Sequence, residues 1–323
     1  MANRTVSVLT GFCLALVAGC QKTPSPRQST PGVGPSPMQA EPSLNPLGKV
    51  ETSPSTTQSA PGVKPGPVQA GSSLSPLGKV ETSLVFAPSR YPAGIWQPVG
   101  LAFEDAWFTS ADATRLHGWY VPHSRPRAVV LFCHGNAGNV AMWGDVLRIL
   151  HDRMGVTAMG FDYRGYGRSE GTPSEAGVLA DARAARAWLA RRTGIAENQI
   201  VLMGRSLGGA VAVDLAAADG ARALILESTF TSMPEVGQAA MPWLPVRALM
   251  QTRFDSLAKI RSYHGPLLQS HGTADRLVPF ALGRRLFEAA NDPKQFIKIP
   301  GGDHNDPQTD EYYAALAEFF DGL

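Results

Sequence analysis

From Phe103 to the C-terminus the chain alternates between two hydrophobic periods, and that alternation leaves few folds open. Six short apolar runs read as buried strands: AVVLFCHG from Ala128, VTAMGFDYRG from Val156, IVLMGRS from Ile200, ALILEST from Ala223, PLLQSHG from Pro266 and QFIKIPG from Gln295. Helical spacing recurs between and after them, near Met142–Asp152, Ser174–Arg192, Gly208–Ala218, Phe280–Ala290 and Asp310–Phe320. Parallel strands need a crossover, and a helix supplies it, so the pattern predicts an α/β fold with a mostly parallel central sheet flanked by helices. Ahead of it, Phe103–Phe108 and Arg115–Val121 flank the polar Ser110–Thr114 and predict an antiparallel hairpin. Thr172 is expected to cap the helix that follows, with Pro173 in its first turn and Glu175 closing a capping box.

The first 85 residues follow neither period. Arg4 precedes an apolar run, Val6–Gly19, that is shorter than the roughly 20 residues a spanning helix needs. Residues 1–19 therefore read as a signal peptide. From Lys22 to about Ser83 the chain is dominated by Pro, Ser, Thr, Gly and Gln, too little apolar surface to offset the entropy of ordering. Ser29–Ser53 and Ser59–Ser83 align at an offset of 30 with 18 identities in 25 positions, and both end in PLGKVETS. Two proline-rich copies without an apolar face cannot stack into a core, so residues 20–85 are expected to be a disordered tether with a mean reach of about 40–50 Å. The folded domain is expected over residues 86–323.

Composition excludes several functions. Hydrophobic residues at 44% against 17% charged supply a sizeable core. With 29 Lys and Arg against 27 Asp and Glu, net charge +2, there is no basic field to neutralise a run of phosphates, so no nucleic-acid partner is expected. Cys13, Cys20 and Cys133 fit neither a disulfide framework nor a zinc cluster. The glycine-rich stretch after Phe132 lacks the Lys and Ser/Thr of a P-loop, and GxGxxG is absent. No cofactor and no metal are expected.

The motif GxSxG occurs twice, around Ser206 and around Ser169. A nucleophile elbow needs a strand directly before the serine and a helix directly after, because the tight turn lifts the hydroxyl above the sheet edge. Only Ser206 has that setting, between Ile200–Met203 and the small-residue run Ala210–Ala218; Ser169 is followed by Gly171 and Pro173 and reads as a loop serine. Asp275 in HGTADRLVP and His304 in GGDHND each follow a predicted strand, giving the order Ser, Asp, His. A serine hydroxyl is a poor nucleophile until an imidazole takes its proton, and a carboxylate fixes the tautomer of that imidazole. Glu227, Asp303 and Asp306 are the rival acids, the last two better suited to bracing their loop, and His271 to bracing the loop of Asp275. The backbone amides of Asn136, in HGNAGN, and Leu207 are expected to form an oxyanion hole.

HGNAGN, FDYRGYGRSEG, GRSLGGA, HGTADRLVP and GGDHND, in this order, resemble the α/β hydrolase superfamily, and within it the bud-emergence-protein-like group that includes lipid-linked protein depalmitoylases. The resemblance runs from about Phe103 to the end of the chain. It implies the α/β hydrolase fold and serine hydrolysis of an ester, thioester or related acyl bond through a Ser206–His304–Asp275 triad. It also implies a short cap over the site, at about residues 231–262, where Met233, Met241, Trp243, Leu244, Leu249, Met250 and Phe254 would offer an acyl pocket for a medium acyl or aryl ester. A small-molecule or lipid-like acyl compound is the expected substrate. HGTADRLVP is also similar to the acid loop of prolyl oligopeptidases, so a peptidase is one alternative and a non-catalytic, envelope-anchored binding protein the other.

Leu16, Val17, Ala18, Gly19 and Cys20 resemble the lipobox of bacterial lipoproteins. That resemblance implies lipidation at Cys20, a membrane partner through the lipid anchor and a place in the bacterial cell envelope. Gln21, in place of an inner-membrane-retaining Asp, implies the outer membrane where the host has one.

Overall fold

A computed structural model of the chain describes residues 81–323 apart from residue 84. The expected signal peptide, Cys20 and all but the last few residues of the repeat lie outside the described residues.

In chain order the strands are β1 (Ala87–Pro88), β2 (Glu104–Thr109), β3 (Arg115–Val121), β4 (Val129–Cys133), β5 (Ala137–Gly138), β6 (Thr157–Asp162), β7 (Val201–Arg205), β8 (Leu224–Glu227), β9 (Leu267–Gly272) and β10 (Lys294–Ile299). The helices are α1 (Gly144–Asp152), α2 (Glu175–Thr193), α3 (Leu207–Asp219), α4 (Met233–Ala240), α5 (Val246–Leu249), α6 (Ser256–Lys259), α7 (Phe280–Ala289) and α8 (Asp310–Asp321). Eight strands form one sheet in the order β10-β9-β8-β7-β4-β6-β3-β2. The β2–β3 and β3–β6 pairs are antiparallel and the remaining pairs parallel. The strands β4, β6, β7, β8 and β9 are buried along their whole length, as expected of a sheet covered on both faces.

The two faces carry separate apolar clusters. On one, Val178, Ala182, Ala185 and Leu189 of α2, most of α3, and Leu282 and Leu286 of α7 pack together. On the other, Leu147 and Leu150 of α1 meet Tyr312, Leu316 and Phe320 of α8. This is the α/β hydrolase fold with the mostly parallel sheet and flanking helices that the alternation predicts.

Two local expectations change. The α2 N-cap is Ser174, not Thr172: Ser174 is extended and its hydroxyl accepts the Gly177 amide at 3.2 Å. Glu175 closes no capping box, because its carboxylate is used elsewhere, accepting the amides of Arg253 at 2.6 Å and Phe254 at 2.8 Å. Packing also begins before Phe86, the expected domain start. Val85 is 1% exposed, and Glu81 accepts the amides of Gln251 at 2.9 Å and Thr252 at 2.5 Å. Among the described residues no helix is long and apolar enough to cross a membrane.

Candidate active site

At the C-terminal end of β7 the chain must turn from strand to helix within one residue. Ser206 takes φ 53°, ψ −119°, a conformation costly for any residue with a Cβ. Its surroundings hold it there. The Ser206 amide donates to the Glu227 carbonyl at 2.8 Å, and its carbonyl accepts from the Thr229 hydroxyl at 2.8 Å and the Gly209 amide at 3.0 Å. The turn closes only because of its glycines: a Cβ on Gly208 would stand 1.9 Å from the Cys133 carbonyl oxygen, and one on Gly204 would stand 2.1 Å from that of Gly208.

The loops after β9 and β10 bring the other two predicted residues to this turn. His304 Nε2 lies 3.0 Å from Ser206 Oγ, and His304 Nδ1 lies 2.8 Å from Asp275 Oδ2. Since a carboxylate only accepts, Nδ1 carries the hydrogen and Nε2 is left as the acceptor facing the Ser206 hydroxyl. Asp275 is 7% exposed and His304 4%, so both lie away from bulk water.

Burial alone would push the Asp275 carboxyl upward, but it sits well below the usual carboxylate range because hydrogen bonds from His271, His304 and the Val278 amide outweigh that cost. Asp275 Oδ1 accepts the Leu277 and Val278 amides at 2.9 and 2.7 Å. His271 Nε2 lies 2.9 Å from the Val278 carbonyl and 3.2 Å from Asp275 Oδ2, so it braces the acid loop.

The HGNAGN loop runs beside the serine. A Cβ on Gly135 would stand 3.7 Å from Ser206 Cβ and 3.6 Å from the Trp143 ring. The Asn136 side chain is occupied, accepting the Ala87 amide at 3.1 Å and the Tyr166 hydroxyl at 3.0 Å. The main-chain amides of Asn136 and Leu207 have no acceptor among the described residues. Leu207 is the first residue of α3, where an amide without an intrahelical partner is the rule.

The rival residues have other partners. Glu227 Oε1 accepts the Tyr312 hydroxyl at 2.6 Å and Oε2 faces the Arg205 guanidinium at 3.5 Å. Asp303 pairs with Arg276 and accepts the His304 amide at 2.8 Å, and Asp306 accepts the Asp303 amide at 2.8 Å. Among the described residues no group of His, Cys, Asp and Glu side chains is arranged to hold a metal ion.

In the insertion between β8 and β9, Met233, Met250 and Phe254 belong to the core under α2 and α3, with Met241 and Leu244 packed against it. Trp243 and Leu249 are 66% and 61% exposed. The apolar stripe that predicts an acyl pocket is thus divided between core packing and solvent.

The sequence reading missed Arg205, hidden inside GRSLG, and Thr229. Each bonds a carbonyl of the site, Arg205 that of His304 and Thr229 that of Ser206. The partner of Arg205 lies 99 positions away, beyond any local pattern.

Residues 124–259 match the family model described as "Serine aminopeptidase, S33". An uncharacterised protein of Mycobacterium tuberculosis is 42% identical over 227 residues, covering 70% of this chain and 80% of that one. The α/β hydrolase domain-containing protein WAV2 of Arabidopsis thaliana is 36% identical over 233 residues, covering 64% and 74%. Protein Bem46 of Schizosaccharomyces pombe is 31% identical over 255 residues, covering 72% and 83%. Among solved structures, an esterase of Pyrococcus furiosus superposes with a TM-score of 0.62 at 20% identity over 74% of this chain and 98% of that one, a likeness of fold. Fold, motif order and these relatives agree: the chain is a hydrolase and belongs to the α/β hydrolase family, with WAV2 and Bem46 among its relatives.

Proposed function

We propose that the protein is a serine hydrolase that cleaves an ester, thioester or related acyl bond through an acyl-enzyme intermediate on Ser206. The observation that carries this is the unbroken chain of contacts from Ser206 Oγ through His304 to Asp275, at 3.0 and 2.8 Å. His304 Nε2 takes the serine proton as Oγ attacks the carbonyl carbon, and Asp275 stabilises the imidazolium that forms. The carbonyl oxygen becomes an oxyanion, received by the Leu207 and Asn136 amides, each such donor contributing about 10²–10³ in rate. His304 then protonates the leaving group, and water repeats the sequence to release the acid.

Reaction of the purified protein with a fluorophosphonate probe tests this, with Ser206→Ala as control. Labelling confined to Ser206 is expected. A folded protein that takes up no probe overturns the proposal in favour of a non-catalytic binding role.

A second reading, peptide hydrolysis, is favoured by the description of the matching family model. Parallel assays on p-nitrophenyl esters and on aminoacyl and prolyl peptides separate the two, with turnover of the esters alone expected. The residues Leu16–Cys20 support lipidation at Cys20 and attachment to the cell envelope, at the outer membrane where the host has one. Mass spectrometry of the mature N-terminus checks it: an unmodified or absent Cys20 rules the anchor out.

A further inference from the structure

Arg205 ends β7, one residue before Ser206, and its register partner on β8 is Glu227. Its Nη2 donates to the His304 carbonyl at 2.7 Å and reaches the Asp306 carbonyl at 3.4 Å. Its Nη1 faces Glu227 Oε2 at 3.5 Å, and Glu227 Oε1 holds the Tyr312 hydroxyl of α8 at 2.6 Å. All three side chains are buried, Tyr312 completely. A guanidinium so placed is costly unless paired and hydrogen-bonded, and here it is both. Its donors are fixed in one planar fork, so direction is preserved along the chain from Tyr312 to the His304 carbonyl.

We propose that Arg205 is a positioning residue for the base: held by Glu227 and Tyr312, it fixes the main chain of His304 relative to Ser206. This rests on the reading of Ser206 as nucleophile. Another tie of the His304 loop lies toward solvent, where Arg276, 81% exposed at its side chain, pairs with Asp303. The Arg205 tie instead joins the residue beside the nucleophile to the residue that bears the base. The residue that makes the 3.0 Å contact with Ser206 through its ring is therefore held through its carbonyl by the residue that precedes Ser206. Both carboxylate oxygens of Glu227 are engaged in this chain, which accounts for Asp275 rather than Glu227 facing the imidazole.

The test compares the full chain with Arg205→Met, Arg205→Lys and Tyr312→Phe. The readouts are the rate of fluorophosphonate labelling at Ser206, kcat and KM for p-nitrophenyl butyrate, and the melting temperature. Arg205→Met is expected to lower kcat and the labelling rate about 10²-fold, the scale of an ångström-sized misplacement, with KM within about threefold. Arg205→Lys is expected to regain part of the loss, and Tyr312→Phe to lose a few-fold in kcat at unchanged KM. A folded Arg205→Met that labels at the wild-type rate, or whose whole loss falls in KM, overturns the proposal. Should Arg205→Met fail to fold, an unchanged kcat in Tyr312→Phe overturns it. Absence of labelling in the wild type is a separate result: it removes the nucleophile, and the positioning role falls with it.

Discussion

The two GxSxG segments, five residues each and identical in pattern, have opposite fates. Ser206 sits at positive φ on a strand-to-helix turn, partly exposed, its hydroxyl against an imidazole. Ser169 is fully buried in the loop after β6. Its hydroxyl donates to the Asp162 carbonyl at 2.7 Å and accepts the His117 amide at 2.9 Å, so both its capacities are spent on holding backbone. The same residue types give a partly exposed hydroxyl against an imidazole in one place and a brace in the other. What differs is the element that follows: α3 starts directly after Ser206, whereas Gly171, at φ 81°, and Pro173 delay α2.

Paired substitutions put that contrast at risk. Ser206→Ala is expected to lower kcat by about 10⁶-fold while leaving the fold intact. Ser169→Ala should do the reverse, keeping Ser206 reactive to the probe and costing about 1–3 kcal/mol of stability for two buried backbone groups left unpaired. Thermal melts beside turnover assays decide it; equal loss of activity in both would erase the distinction. Next in size, Gly208→Ala drives a methyl into the Cys133 carbonyl. It is expected to cost about 3 kcal/mol, roughly 6–12 °C in melting temperature for a domain of this size.

A smaller effect concerns acid. Asp275 is depressed in the folded protein, so its contribution to stability is complete above the unfolded carboxylate value, about 4, and fades as pH falls through the folded value. Asp112, hydrogen-bonded by Arg164 and lowered to about 2, acts in the same direction. Denaturant melts from pH 6 to pH 2 should show the wild type losing stability below about pH 4 more steeply than Asp275→Asn. Parallel curves would mean that the acid is no better stabilised folded than unfolded. Smallest of all, burial pushes the Cys133 thiol up to about 12. Native protein treated with iodoacetamide should carry no adduct at Cys133 by peptide mass spectrometry until it is unfolded.

Legibility in the sequence followed distance along the chain. The strand runs and helix spans from Ala128 onward are nearly those observed, because period and turn residues are local signals. The candidate residues Ser206, Asp275 and His304 could be chosen because each follows a strand in a parallel sheet, which delivers them to one edge. The sequence does not single out Ser174 as the cap because Thr172 and Ser174 both precede the helix, and only backbone conformation separates them. Arg205 and Glu81 carry no signature of the bonds they make, and the capping-box pattern at Glu175 points to the wrong partner. The partners of Arg205, Glu81 and Glu175 are backbone groups 99, 170 and 78 positions away, and nothing in the identity of a carbonyl or amide marks it as taken.

The carboxylates of Glu81 and Glu175 between them grip four consecutive amides, Gln251 to Phe254, where the insertion re-enters the domain. Anyone trimming the gene to its globular part would cut at Phe86, where aromatic residues begin, and would discard one of those two grips. Half of the fastening would then be missing from a polypeptide that otherwise looks whole, and assays on so shortened a protein would report a looser insertion than the native one carries.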